Sequence, residues 1–146
     1  FILFGLGGVI GNLVTGSVPE HALTKYLFYT FFLLFITIIL FVTFVHYAVL
    51  ALLICFLFGF GTFGTTPLLN SKIILSAHEA PLLASTLAAS IFNVANFIGA
   101  ILGSILLSIG LPYMTITFIS GGIIILGIIL NTVNNVYEKK HISFHN

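Results

Sequence analysis

The chain contains an apolar run that is too long for a single membrane span. From Tyr26 to Phe58 the sequence is almost unbroken in its apolar character and holds no charged residue. A membrane-spanning helix needs about 20 apolar residues, so this run is about right for two spans. The best break is Val45-His46-Tyr47, because a histidine–tyrosine pair suits a membrane interface better than a bilayer centre. The run therefore predicts two helices joined by a very tight turn.

Charged residues are too few to cover a water-facing surface. Of the 146 residues, 60% are hydrophobic and only 5% are charged, whereas a soluble domain carries about 25% charged residues. Mean hydropathy is +1.28. The single cysteine, Cys55, allows no disulfide within the chain. We therefore expect an all-α integral membrane protein with no nucleic-acid partner, and exclude an ordinary soluble domain and a disordered tail.

Turn-forming and polar residues divide the chain into one truncated span and four full spans. Pro67 is expected to close the third span because proline lacks the backbone donor that a helix needs. Gly110-Leu111-Pro112 marks the turn before the last span. The chain opens at Phe1 inside an apolar run, which indicates a piece of a longer protein; a complete but processed small protein is the alternative. The spans are expected at about 1–14, 25–45, 47–67, 82–108 and 113–133, followed by a polar tail at 134–146.

The positions of the lysines indicate which end of each span faces the cytoplasm. Positively charged residues are enriched in the cytoplasmic loops of membrane proteins. In this segmentation every lysine lies in the first loop, the third loop or the tail, which share one side of the membrane: Lys25, Lys72, Lys139 and Lys140. We therefore expect that side, and the C-terminus, to be cytoplasmic in a multi-pass protein of a bacterial plasma membrane.

The fourth span has two faces of different character. On a helical wheel with about 100° per residue, Asn93 and Ser85 fall within about 60° of Asn96, together with several alanines and glycines. Large apolar residues such as Val94 occupy the opposite side. The large side suits lipid, and the small polar side suits protein or a water-filled cavity. The two asparagines either bind a substrate or merely tie two helices together, with Gly99 and Gly103 as a close-packing face.

The third span carries glycines and threonines but no recognisable catalytic group. Gly59, Gly61 and Gly64 formally match a dinucleotide-binding pattern, but no strand precedes them and no acidic residue follows at the right distance. Close helix packing is the better interpretation. No acid lies inside any span, and all histidines lie in loops or the tail, so we expect no enzyme, metal or cofactor.

Two stretches carry a resemblance to a known family. The first is GLGGVIGNLVTGSVPEH, which resembles the glycine-rich end of helix 8 and a cytoplasmic loop motif of major facilitator superfamily transporters. The chain resembles the C-terminal half of such a transporter, from the end of helix 8 through helix 12. Gly11, Asn12 and Gly16 match that motif, and Glu20 stands where Asp is usual. Pro19 is atypical of the motif.

The second stretch is LLASTLAASIFNVANFIGAILGSIL, which resembles helix 11 of the same family. Asn93, Gly99, Ala100 and Gly103 match, and Ala95 replaces a frequent glycine. The branch that it resembles most is the drug and sugar efflux branch, which includes arabinose and purine-nucleoside efflux permeases.

The resemblance implies a partial major facilitator fold and a proton-coupled exporter of a small molecule, such as a drug, a sugar or a nucleoside. Such a carrier works by alternating access and would need the missing N-terminal half, protons and the lipid bilayer as partners. Candidate cavity-lining residues are Asn93, Asn96, Ser85 and Thr62. A small stand-alone membrane protein with an assembly or scaffold role is the alternative.

Overall fold

The computed structural model describes residues 1–77 and 79–143, with side chains through Tyr137. Within these ranges the protein is helical and contains no strand, which confirms the expected all-α fold class. Four helices are long and apolar enough to cross a membrane. In chain order the helices are α1 (Ile2–Gly16), a 3-10 turn (Glu20–Ala22), α2 (Leu23–Phe44), α3 (Ala48–Ser76), α4 (Pro81–Ser108) and α5 (Tyr113–Ser143).

Helix α3 is the centre of the described bundle. Helices α1 and α2 pack along it, α4 contacts it more loosely, and α5 packs mainly against α2. The buried positions of α2 recur every three or four residues, which is the spacing of a single helix face. They are Leu23, Leu27, Thr30, Leu34 and Thr37.

Glycines allow α1 and α3 to approach very closely. A Cβ atom built on Gly7 would overlap the carbonyl of Phe56, and one built on Gly11 would overlap the carbonyl of Phe60. From the other side, a Cβ atom on Gly59 would overlap the carbonyl of Phe4. The two backbones are therefore in direct contact, as expected for small residues at a membrane helix interface.

The expectation that Pro67 closes the third span is wrong, because α3 continues through it to Ser76. Membrane helices accept an internal proline where neighbouring helices support the interrupted segment. Beyond the proline, Leu68 is fully buried against Leu23 and Leu27 of α2. This packing favours a continued helix over the polar loop predicted for this segment.

The last two helices are joined by a tight turn at Gly110. Its φ is +79°, in the left-handed region that glycine enters without steric cost. The Gly110 amide donates a hydrogen bond to the Leu107 carbonyl, and the Leu111 amide donates one to the Leu106 carbonyl. This pair of bonds is the Schellman arrangement that ends many helices, and it agrees with the turn predicted here.

Helix α5 is longer than the predicted fifth span. It runs from Tyr113 to Ser143, so residues 134–143 of the expected polar tail are helical, while 144–146 lie outside the described residues. Helix propensity persists beyond the apolar segment, because Asn, Glu and Lys interrupt hydropathy without breaking a helix. The position at which each helix leaves the membrane stays a prediction.

Candidate functional site

Helix α4 carries the polar groups that the sequence singled out. Asn93 and Asn96 are both exposed, and within the described part of the chain neither side chain forms a hydrogen bond. The buried residues of α4 are Ala84 and Ala88, where the helix meets the rest of the bundle. At about 100° per residue, Asn93 lies on the side of the helix opposite these alanines, and Asn96 lies about 80° or more around the helix from each of them. Each side-chain amide therefore has its two N–H donors and its carbonyl oxygen available to hydrogen-bond another molecule.

The two predicted hydroxyl groups are engaged within their own helices. Ser85 Oγ donates to the Leu82 carbonyl at 2.9 Å, and Thr62 Oγ1 donates to the Phe58 carbonyl at 2.8 Å. Each oxygen can still accept a hydrogen bond. Ser85 shares α4 with the asparagines, whereas Thr62 lies on α3. Among the described side chains no hydrogen bond connects Thr62 to the three polar residues of α4.

The glycines predicted to pack helices fall into two groups. Gly59, Gly61 and Gly64 of α3 are buried and lie against α1 or α2. A Cβ atom on Gly61 would lie 2.9 Å from the Leu34 side chain, and one on Gly64 would lie 3.2 Å from Thr15 Cγ2. By contrast, no described atom of another element lies within 4 Å of a Cβ atom built on Gly99 or Gly103.

The four residues assigned to a cytoplasmic loop motif are not all in a loop. Gly11, Asn12 and Gly16 belong to α1, and only Glu20 lies in the connection, within the 3-10 turn. Gly11 is buried against α3, whereas the other three residues are exposed. Gly11 therefore has a packing environment that Asn12 and Gly16 lack.

The described residues also form cavities that the sequence did not indicate. One has a volume of about 630 Å³, is lined mainly by apolar side chains, and includes Cys55, Thr37 and Ser120. Another has a volume of about 550 Å³ and lies between the start of α2 and the end of α5. Its polar lining could have been suspected from Asn131 and Asn135, which are four residues apart and share a helix face.

The described residues contain no group of three or more histidine, cysteine or carboxylate side chains close enough to hold a metal ion. Cys55 is a half-buried free thiol. At α4 the described surface offers hydrogen bonding by neutral amides and hydroxyls.

Comparison with known proteins gives an informative similarity. The chain is 34% identical over 140 residues to the uncharacterised MFS-type transporter YfhI of Bacillus subtilis (strain 168). No protein-family model matches the chain, and no solved structure matches it. The alignment covers 95% of this chain but 35% of the relative. The chain is therefore similar, over nearly its whole length, to about one third of an MFS-type transporter, which supports a partial major facilitator fold.

Proposed function

We propose that this chain is part of a major facilitator superfamily transporter that exports a small molecule by alternating access. The observation that carries the proposal is the surface of α4. This helix has 28 residues and the hydropathy of a membrane span, yet only two small residues, Ala84 and Ala88, are buried. A helix with one polar stripe and so little packing within the chain fits a position between two halves of a carrier.

The similarity to an MFS-type transporter supports the same proposal. Because the chain spans 35% of that relative, a longer protein would supply the second half of the cavity. In the proposal, Asn93 and Asn96 face that cavity and orient the substrate through amide hydrogen bonds. Neutral amides suit an uncharged polar substrate, because no full charge has to be desolvated when it binds.

We further propose that the protein acts as a proton antiporter and exports a drug, a sugar or a nucleoside. Both features come from the resemblance to the efflux branch. No carboxylate lies inside the apolar segments of this chain, so the acid that carries the proton would belong to the other half. The lysine-bearing end of the bundle, with the C-terminus, would be cytoplasmic.

Uptake into inside-out membrane vesicles tests this proposal. The gene is first extended upstream to its start codon, and the whole product is expressed. Radiolabelled members of the three substrate classes are then offered with and without an imposed proton gradient. We expect gradient-dependent uptake of one class that a protonophore abolishes and that vesicles without the protein lack.

Two results would contradict the proposal. A start codon and ribosome-binding site directly upstream of Phe1 would favour the small stand-alone protein instead. The second contradicting result is that the correctly folded full-length protein accumulates none of the three substrate classes above the level found in vesicles without the protein. An unchanged uptake after the proton gradient is collapsed would remove proton coupling and leave transport standing.

A further inference from the structure

A polar pocket of about 550 Å³ lies between the start of α2 and the end of α5. Helices α2 and α5 pack side by side in opposite directions. A Cβ atom on Gly121 would lie 3.9 Å from Ile38, and one on Gly127 would lie 3.6 Å from Phe31. Continuing this register brings the last turns of α5 beside the first turns of α2, where the pocket opens. Its volume falls in the range of small-molecule sites, about 300–1,000 Å³.

The pocket offers hydrogen-bond donors and a positive charge. Lys25 and Thr24 line it from α2, and Asn131 and Asn135 line it from α5. No carboxylate is among the described side chains that line it. Lys25 Nζ lies 5.8 Å above the centre of the Tyr29 ring, which holds the ammonium at the pocket rim.

The ammonium group of Lys72 contacts Thr24 from outside the pocket lining. Lys72 Nζ of α3 donates to Thr24 Oγ1 at 3.3 Å. Because the Thr24 oxygen accepts this bond, its own hydrogen can be donated to a ligand, and no described residue accepts it. The donors and the Lys25 ammonium group favour an anion over a neutral or cationic ligand.

The change in hydropathy along α2 and α5 favours a position of the pocket near the lipid headgroups. Helix α2 is apolar after Lys25, and α5 is apolar up to Leu130, so both helices change to polar sequence at the pocket. On α2, Lys25 is about 160–200° around the helix from Leu23 and Leu27, which face α3. The pocket thus opens away from α3, and Tyr29 on its rim is 51% exposed.

We propose that this pocket binds the phosphate headgroup of an anionic phospholipid. Basic pockets between membrane helices recognise such headgroups by charge and hydrogen bonding. The lysine and threonine would contact the phosphate oxygens, and the asparagine amides would contact the ester or glycerol oxygens. Tyr29 and Phe28, both exposed, supply the aromatic surface that interfacial lipid contacts favour. This site is separate from the proposed transport cavity and does not depend on transport.

Fluorescence quenching by brominated lipids tests this assignment. The chain contains no tryptophan, so Phe28→Trp places a reporter in the pocket of the whole protein, with any other tryptophan replaced. Phe118→Trp, on an exposed part of α5, is the matched reporter outside the pocket. Vesicles of phosphatidylcholine carry a minority of brominated lipid, either phosphatidylglycerol or phosphatidylcholine. We expect stronger quenching by phosphatidylglycerol at position 28 only.

Substitutions in the pocket separate recognition from general attraction to the membrane. Lys25→Gln should lower the preference for phosphatidylglycerol at position 28 about fivefold, the effect of one lysine near an anionic surface. Lys25→Arg should retain most of that preference. Asn135→Leu should lower it, whereas Asn134→Leu, next along the same helix and outside the pocket lining, should leave it unchanged. Circular dichroism checks that each variant remains helical.

Three outcomes would overturn the proposal. Equal quenching by the two lipids at position 28 would mean that the pocket has no preference for an anionic headgroup. A preference that survives both Lys25→Gln and Asn135→Leu in folded protein would place recognition elsewhere. Relief of quenching by inorganic phosphate, but not by chloride at equal ionic strength, would assign the pocket to a soluble anion.

Discussion

Gly59 of α3 lies directly against the backbone of Phe4 in α1, so closely that a Cβ atom would overlap the Phe4 carbonyl. The reciprocal contacts are made by Gly7 and Gly11 of α1. Lipid chains are as apolar as leucine, so membrane helices associate through close van der Waals packing rather than through the hydrophobic effect. These glycines therefore determine how tightly the short α1 is held.

Gly59→Ala should destabilise the protein, because the added methyl group meets backbone atoms that no side-chain rotation can move. We expect a loss of about 1–3 kcal/mol, the usual cost of overpacking. The measurement is the thermal denaturation of purified protein in detergent, followed by circular dichroism. Gly5→Ala is the control, since no described atom of another element lies within 4 Å of a Cβ atom there. Equal denaturation temperatures for the two variants would contradict the observed contact.

Gly61→Ala should cost less than Gly59→Ala. The neighbour of Gly61 is the Leu34 side chain, at 2.9 Å from the added Cβ atom, and that side chain can change its rotamer. Gly61→Leu should exceed this tolerance and lower transport by the whole carrier while the protein still reaches the membrane. Thermal denaturation of the two alanine variants checks the difference in stability. Transport by Gly61→Leu, normalised to the amount of protein in the membrane, checks the loss of transport. Wild-type transport by Gly61→Leu would contradict the close packing of this position against Leu34.

Leu68→Ala should destabilise the protein more than Pro67→Ala. Leu68 is completely buried against Leu23 and Leu27, so truncation leaves a cavity worth roughly 2 kcal/mol or more. Pro67→Ala instead restores a backbone donor inside α3 and should leave stability equal or higher. Denaturation temperatures of the two variants against wild type decide the point. A larger loss for Pro67→Ala would show that the packing beyond the proline contributes little.

Asn96→Ala and Asn93→Ala should weaken substrate binding rather than folding. Neither amide has a side-chain hydrogen bond within the described chain, so removing one loses a contact to substrate of roughly 0.5–1.5 kcal/mol, or about two- to twelve-fold in apparent affinity. Transport by the whole carrier is measured against substrate concentration and normalised to protein in the membrane. If the half-saturation concentration stays constant and only the protein level falls, these residues tie helices together.

Cysteine labelling should place the His46 turn and the α1–α2 connection on opposite sides of the membrane. In a Cys55→Ala background, His46→Cys should react with a membrane-impermeant maleimide in intact cells, and Ser17→Cys should react only after permeabilisation. Both positions are exposed in the structure, so accessibility within the protein does not limit the reaction. The reverse pattern would reverse the orientation inferred from the lysines.

The helical architecture could be predicted from the sequence because the membrane leaves few alternatives. Hydropathy, the His46 turn and Gly110 place α2 and the start of α5 within a few residues of the observed bounds. Pro67 misled because its effect depends on neighbours in the fold: Leu68, the next residue, gains a buried position against Leu23 and Leu27 of α2. Such compensation is tertiary and is not visible in a linear sequence.

The candidate site could be predicted only in part. The wheel identified the polar stripe of α4 because side-chain direction in a helix follows directly from spacing. It could not show how Thr62 of α3 is placed relative to that stripe, since the rotation of α3 relative to α4 is a packing result. The pocket between α2 and α5 was missed for a similar reason, because Lys25 and Asn135 are far apart in sequence.

The connection between α2 and α3 has only three residues, Val45 to Tyr47. Fully extended, three residues reach about 10–11 Å, which is close to the 8–10 Å that separates the axes of two packed helices. The two helices can therefore pivot about this end but cannot separate there. A pivot of this kind would displace the opposite ends most, so it would have to break the contacts there, between Lys72 and Thr24 and between Leu68 and Leu27.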